Sequence, residues 1–223
     1  MKNTNQKSHT ANLPERVLRL ACYIALPLIA LFALTIGMSL LTTGGLNTNV
    51  NEAEGFMTVF LSFSLPMLLA LAVLPVTVKV WGGKCRLARL GFQLPTRWWN
   101  MAGCGIMTAG TLVLAVMLGS KPGLEMSPWT IWSHFFFVAV AEECMLRGVV
   151  HDQLRDFTEN KWVLCMLNGL IFAFVYHSNE DFWSNLLVRV PLGFVLCFVR
   201  VKSDSLYPAI ALHWLYNMAV TTI

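Results

Sequence analysis

Residues 17–41 read VLRLACYIALPLIALFALTIGMSLL, an apolar run of 25 residues in which Arg19 is the one charge. About 20 consecutive apolar residues let a helix cross the ~30 Å hydrocarbon core of a bilayer. The run is too long for a signal-peptide core, which spans about 7–15 residues, and it lacks an A-x-A cleavage site. It reads as a retained first transmembrane helix. The rest of the chain repeats the theme, with apolar runs near 56–81, 101–118, 162–176 and 182–199 separated by short polar breaks. A helix over 129–157 is apolar only in its first part, and 208–223 forms a short last helix.

Composition agrees. Charged residues make up 13% of the chain and hydrophobic residues 56%. Soluble domains carry about 25% charged residues, so this chain is too poor in charge to cover a water-facing surface. The fold class is therefore all-α, a polytopic transmembrane bundle of about seven helices. Residues 1–16 form a polar tail, 17–127 the N-terminal helices with a basic connector at 82–99, and 128–223 a C-terminal core. Leu87, Leu90 and Phe92 among the charges of the connector suggest a surface-lying segment. Pro122 and Gly123 mark a turn.

Basic residues alternate between the breaks. Lys2, Lys7, Arg16 and Arg19 precede the first span; Lys79, Lys84, Arg86, Arg89 and Arg97 follow the second; Arg155 and Lys161, then Arg200 and Lys202, follow later ones. The intervening breaks hold Glu52 and Glu54, then Lys121, then Glu180 and Asp181. The positive-inside rule puts the N-terminus in the cytoplasm. The net charge of +4 belongs to this topology. Without a basic stripe carrying interleaved aromatics, no nucleic-acid partner is indicated. The six cysteines lack CxxC or CxxH spacing, which supports neither a disulfide framework nor a zinc knuckle.

Three segments carry polar groups that a membrane helix should not hold without reason, since a charge at the bilayer centre costs at least ~2.5–3.5 kcal/mol. The first is Ala141-Glu142-Glu143-Cys144-Met145-Leu146-Arg147-Gly148. On a helix Glu143 and Arg147 are four apart and can pair. Glu142 points about 100° away, free for chemistry. The second is Phe172-Ala173-Phe174-Val175-Tyr176-His177. The third is Ala211-Leu212-His213-Trp214-Leu215-Tyr216-Asn217, where His213 and Asn217 share a face. Each has a plainer reading: a helix end reaching the headgroups, an interfacial histidine, and His/Asn glue between helices. Together they offer what a hydrolytic site inside a membrane requires.

This series, Glu-Glu-x-x-x-Arg, then a Phe-containing segment ending in His, then His-x-x-x-Asn, resembles the CPBP (Abi, CAAX-protease-type) intramembrane metalloprotease family over roughly residues 128–220. Leu90-Gly91-Phe92 and the run Ser205-Leu206-Tyr207-Pro208-Ala209-Ile210 add to the likeness. In one respect the chain departs: the family's Phe lies four residues before its His, where this sequence has Ala173 between Phe172 and Phe174. The resemblance implies peptide-bond cleavage by glutamate-activated water. Glu142 would be the general base, His177 would bind or polarise the water, and His213 and Asn217 would donate to the oxyanion. Arg147 would hold Glu143. It also implies a membrane-associated protein or peptide as substrate, in CAAX processing, peptide maturation or bacteriocin immunity, and a bacterial plasma membrane as the setting. Zinc held by Glu142, His177 and His213 is compatible with these ligand types, although no His-Glu-x-x-His motif is present.

Two other readings compete: a non-catalytic scaffold or immunity partner that keeps the fold, and a small transporter with a carboxylate–histidine proton relay. Cys144 is unattractive as a nucleophile beside two carboxylates. His134 and His151 read as interfacial, Asp152 as part of a solvated helix end, and Arg189 as facing the bundle interior. Trp98, Trp99, Trp129 and Trp132 fit an interface belt. Substrate and oligomeric state leave no mark in the sequence.

Overall fold

In the computed structural model, the described residues are 12–46, 49–50, 53, 55–83, 85–121 and 126–222. Pro122, Gly123, Glu52, Glu54, Lys2, Lys7 and Lys84 lie outside them. Among the described residues there are seven long helices and no strand. They are α1 (Leu13–Thr43), α2 (Gly55–Gly82), α3 (Trp98–Gly119), α4 (residues 128–154), α5 (Lys161–Tyr176), α6 (Phe182–Ser203) and α7 (Tyr207–Thr222). Four of them, α1, α2, α3 and α6, are long and apolar enough to cross a membrane. At about 1.5 Å per residue, the 16-residue α7 is shorter than the hydrocarbon core.

Local chemistry sets the helix ends. α1 starts four residues before the apolar run, because the Asn12 side chain accepts from the Glu15 amide at 3.0 Å and Pro14 occupies the first turn. Such a cap satisfies an amide that no helical carbonyl can reach. Inside α2, wide π turns cover Phe60–Ser64 and Leu68–Val73, each just before a proline, Pro66 or Pro75. A proline ring takes away one helical donor and crowds the preceding carbonyl. A π turn absorbs that mismatch.

Helix packing brings α7 against α3, α4 and α6, and α5 against α6. At the α5–α6 crossing Gly169 meets Gly193 so closely that a Cβ on Gly169 would lie 2.7 Å from the Val190 carbonyl oxygen. Small residues at such a crossing let two backbones touch.

One end of the bundle gathers the basic residues. Arg16 donates to the Asp156 carbonyl at 2.7 Å, which ties the start of α1 to the residues after α4. Asp152, near the end of α4, takes Lys79 Nζ at 2.6 Å and Arg89 Nε at 2.5 Å. That hydrogen bond holds the Arg89 guanidinium above its ordinary pKa. Asp152 is thus buried and doubly paired, not a solvated helix end; the connector folds back over it. The connector also reaches α7: Leu90 and Leu206 are fully buried, and the Leu206 amide donates to the Gly91 carbonyl at 2.9 Å. Gly91 has φ +95° and lies against the Arg200 side chain, so any larger residue there is strained.

Other residues also sit deeper than their sequence context suggests. His151 is 5% exposed, and His134 bonds Ser64 Oγ at 2.9 Å between α4 and α2. Trp98, Trp99 and Trp129 are exposed, but Trp132 packs on Trp214 at 4.6 Å and donates to Thr111. Replacing Gly169 with Ala is expected to lower the melting temperature of the detergent-solubilised protein by several degrees, because backbone on α6 must move. An unchanged melting curve would show that the crossing is looser than drawn.

Candidate active site

The site grows from the middle of α4. Its first turns, Pro128–Glu143, are α-helical, and from Cys144 to Val150 the helix widens into π geometry. Glu143, Arg147 and every residue between them are buried. Arg147 Nη1 donates to Glu143 Oε1 at 2.9 Å, both side chains 0% exposed, and Nη2 donates to the Gly193 carbonyl of α6 at 3.1 Å. Asn168 of α5 donates to the Leu146 carbonyl at 2.8 Å. The widened segment is therefore bonded to both helices of the close crossing.

His213 of α7 completes this arrangement. Its Nδ1 lies 2.8 Å from Glu143 Oε1, the oxygen that Arg147 holds. Its Nε2 lies 3.7 Å from Glu142 Oε2. A carboxylate paired with Arg147 accepts, so Nδ1 is the donor and Nε2 is the nitrogen turned to Glu142. The two adjacent glutamates thus differ sharply. Glu143 is engaged from two helices; Glu142 is 7% exposed and its Oε2 is buried without a hydrogen-bond partner.

His177 ends α5. Its Nε2 is also buried without a partner. Phe172 explains how the ring is placed. The turn Phe172–Tyr176 is π-helical, and in that geometry residues five apart share a face. Phe172 therefore takes the place that a Phe four residues earlier would have on an α-helix. Its ring stands edge-on to His177 at 4.8 Å and to His213 at 5.9 Å, with the Arg147 guanidinium 4.9 Å above it. One ring touches three of the polar groups.

A cavity of about 220 Å³ opens here, walled by His177, His213, Asn217, Arg189, Phe172 and Tyr216 among others. Of the six residues singled out in the sequence, His177, His213 and Asn217 line the cavity; Glu142 does not, and its Oε2 lies 3.7 Å behind the cavity, at His213 Nε2. Glu143 and Arg147 form the buried support. Arg189, read from its place inside an apolar run as facing the bundle interior, faces the cavity, with its side chain 21% exposed and paired with Glu180 at 3.2 Å. One group escaped the sequence reading and left no signal there: the Tyr176 hydroxyl, buried without a partner.

Among the described residues no three His, Cys, Asp or Glu side chains are grouped to hold a metal ion. The His213 ring commits Nδ1 to Glu143 and leaves Nε2 without a hydrogen bond, an arrangement in which a histidine can serve a metal as well as a proton. Cutting the buried pair in half should be far worse than removing it: Arg147→Met leaves Glu143 charged with His213 as its one partner, a loss of about 3 kcal/mol. The double variant Glu143→Gln/Arg147→Met is expected to recover much of that in thermal unfolding. Equal loss in the single and double variants would contradict the pairing.

No curated protein and no solved structure matches the chain. Residues 124–219 do match a family, described as Type II CAAX prenyl endopeptidase Rce1-like. That match begins just before α4 and ends within α7, so it contains every group described above. Together with the apolar helices, it makes this an integral membrane protein whose segment 124–219 is similar to the Rce1-like, CAAX-protease kind.

Proposed function

We propose that the chain is an intramembrane endopeptidase in which Glu142 activates water against a peptide bond of a membrane-associated protein or peptide. The observation that carries this reading is the division of labour between adjacent carboxylates. Glu143 is held through Oε1 by Arg147 and His213, although its Oε2 is unpartnered, whereas Glu142 has no such anchor and its Oε2 is buried and unpartnered beside His213 Nε2. A buried carboxylate with no structural duty is well suited to take a proton.

In the proposed reaction Glu142 removes a proton from water as the water oxygen bonds to the scissile carbonyl carbon. The oxyanion of the tetrahedral intermediate accepts from the Asn217 amide and the His177 imidazole, which share the cavity wall. Collapse breaks the C–N bond, and the proton held by Glu142 passes to the leaving amine. Glu143 fixes the His213 ring through Nδ1, and the Nε2 lone pair faces Glu142 Oε2 at 3.7 Å, where it can accept from that carboxyl once it has taken the proton. This gives His213 a different task from direct oxyanion donation and leaves that to Asn217 and His177. Arg189 adds a positive charge to the wall, which favours a substrate that places a carboxylate near it. The basic end of the bundle is the cytoplasmic one in this reading, and a bacterial plasma membrane suits so compact a chain.

The test uses the purified protein in lipid nanodiscs and an S-prenylated CAAX peptide, with products read by mass spectrometry. Glu142→Gln should lower turnover at least ~100-fold, the scale of a lost general base, while Cys144→Ser leaves it unchanged. Cleavage that survives Glu142→Gln would remove the glutamate mechanism. No cleavage by the wild-type protein across CAAX and leader-type peptides would favour a non-catalytic scaffold or immunity role. Arg189→Gln should raise KM roughly tenfold for a peptide with a free C-terminal carboxylate. It should not do so for the C-terminal amide.

A further inference from the structure

A cavity of about 760 Å³, more than three times the volume of the one at His213, lies at the basic end of the bundle. Its walls carry four cations, Arg19, Lys79, Arg86 and Arg89, against two carboxylates, Asp152 and Asp156. Asp152 is 2% exposed, and one carboxylate there answers two cations, Lys79 and Arg89. Arg86 adds a further charge. Arg19 pairs with Glu15 at 2.7 Å, but both groups are about half exposed, and such pairs are weak and exchangeable. The cup therefore carries an excess of positive charge and accessible guanidinium donors.

A second cavity, of about 310 Å³, continues from it. The two share Arg19, Tyr23 and Val78. The second is apolar and runs between α1 and α2 along Leu26, Pro27, Leu74 and Pro75. α1 and α2 are both among the helices able to cross a membrane. Leu26, Leu74 and Val78 are exposed rather than packed. A charged cup at the helix ends thus opens into a greasy groove that descends along the membrane-spanning part.

We propose that this composite site binds a phospholipid with a net negative headgroup. Its phosphate sits in the cup among Arg19, Arg86 and Arg89, and one acyl chain lies in the α1–α2 groove. Basic pockets at the ends of membrane helices favour anionic headgroups for electrostatic reasons. The contiguous groove selects a lipid over a free phosphate, because only a lipid fills both halves. The position has a structural consequence. The cup surrounds Asp152, the residue that anchors the far end of α4, so a lipid bound there stabilises the helix that carries Glu142 and Glu143.

The test is native mass spectrometry of the purified full chain, offered phosphatidylglycerol or phosphatidylcholine of equal chain length, sn-glycerol 3-phosphate, or inorganic phosphate. The wild-type protein should retain phosphatidylglycerol roughly tenfold better than phosphatidylcholine, and neither soluble phosphate. Arg19→Gln/Arg86→Gln should erase that preference. Leu26→Trp/Val78→Trp, which fills the groove from exposed positions, should reduce retention of phosphatidylglycerol. Both variants are checked for an unchanged melting curve in phosphatidylcholine. Equal retention of the two lipids, or a preference that survives Arg19→Gln/Arg86→Gln, overturns the proposal. So does full retention in Leu26→Trp/Val78→Trp, or binding of sn-glycerol 3-phosphate as tight as that of the lipid.

Discussion

Everything at the centre of this protein depends on one buried oxygen, Glu143 Oε1, which receives both Arg147 and His213. A carboxylate taken out of water is tolerable only when paired and hydrogen-bonded. Glu143 meets that demand from two directions. Arg147 comes from its own helix and carries the bond onward to the Gly193 carbonyl of α6. His213 comes from α7. The pairing fixes three helices relative to one another, and as a by-product fixes the imidazole whose other nitrogen faces Glu142.

The backbone is adapted to this arrangement. An ordinary α-helix through residues 144–150 would place Arg147 and the carbonyls near it differently. In the observed π segment the Leu146 carbonyl accepts from both the His151 amide and the Asn168 side chain. The second π segment, at Phe172–Tyr176, performs a similar service for His177, setting it edge-on to the Phe172 ring. Wide turns are tolerated where neighbouring helices satisfy the backbone groups, and they occur on α4 and α5, which carry Glu142 and His177, as well as on α2 and α6. The close Gly169–Gly193 approach brings α5 and α6 near enough for the Arg147 bond to reach.

Much of this was legible in the sequence, for physical reasons. Apolar length gave the helices: the run at residues 17–41 became α1, with ends moved only by the Asn12 cap and the Gly44 turn. Spacing gave the Glu143–Arg147 pair, because four residues is one helical turn. What was hidden depends on tertiary contacts. Asp152 reads as a solvated end because its neighbours Arg155 and Asp156 are polar; its actual partners, Lys79 and Arg89, are more than 60 residues away. Ala173 reads as a departure from a spacing rule that assumes α geometry, and no propensity announces a π turn. The link from His213 to Glu143 spans 70 residues and could be named as a meeting of groups but not as a particular bond.

The most direct test of the Glu143 account is nitrogen-15 NMR of histidine-labelled protein in bilayers, with His213 assigned by comparison with His213→Asn. The structure predicts a proton on Nδ1, hydrogen-bonded to a carboxylate, and a resonance that shifts when Glu143 is replaced by Gln. A His213 ring protonated on Nε2 alone, or one indifferent to Glu143→Gln, would contradict it.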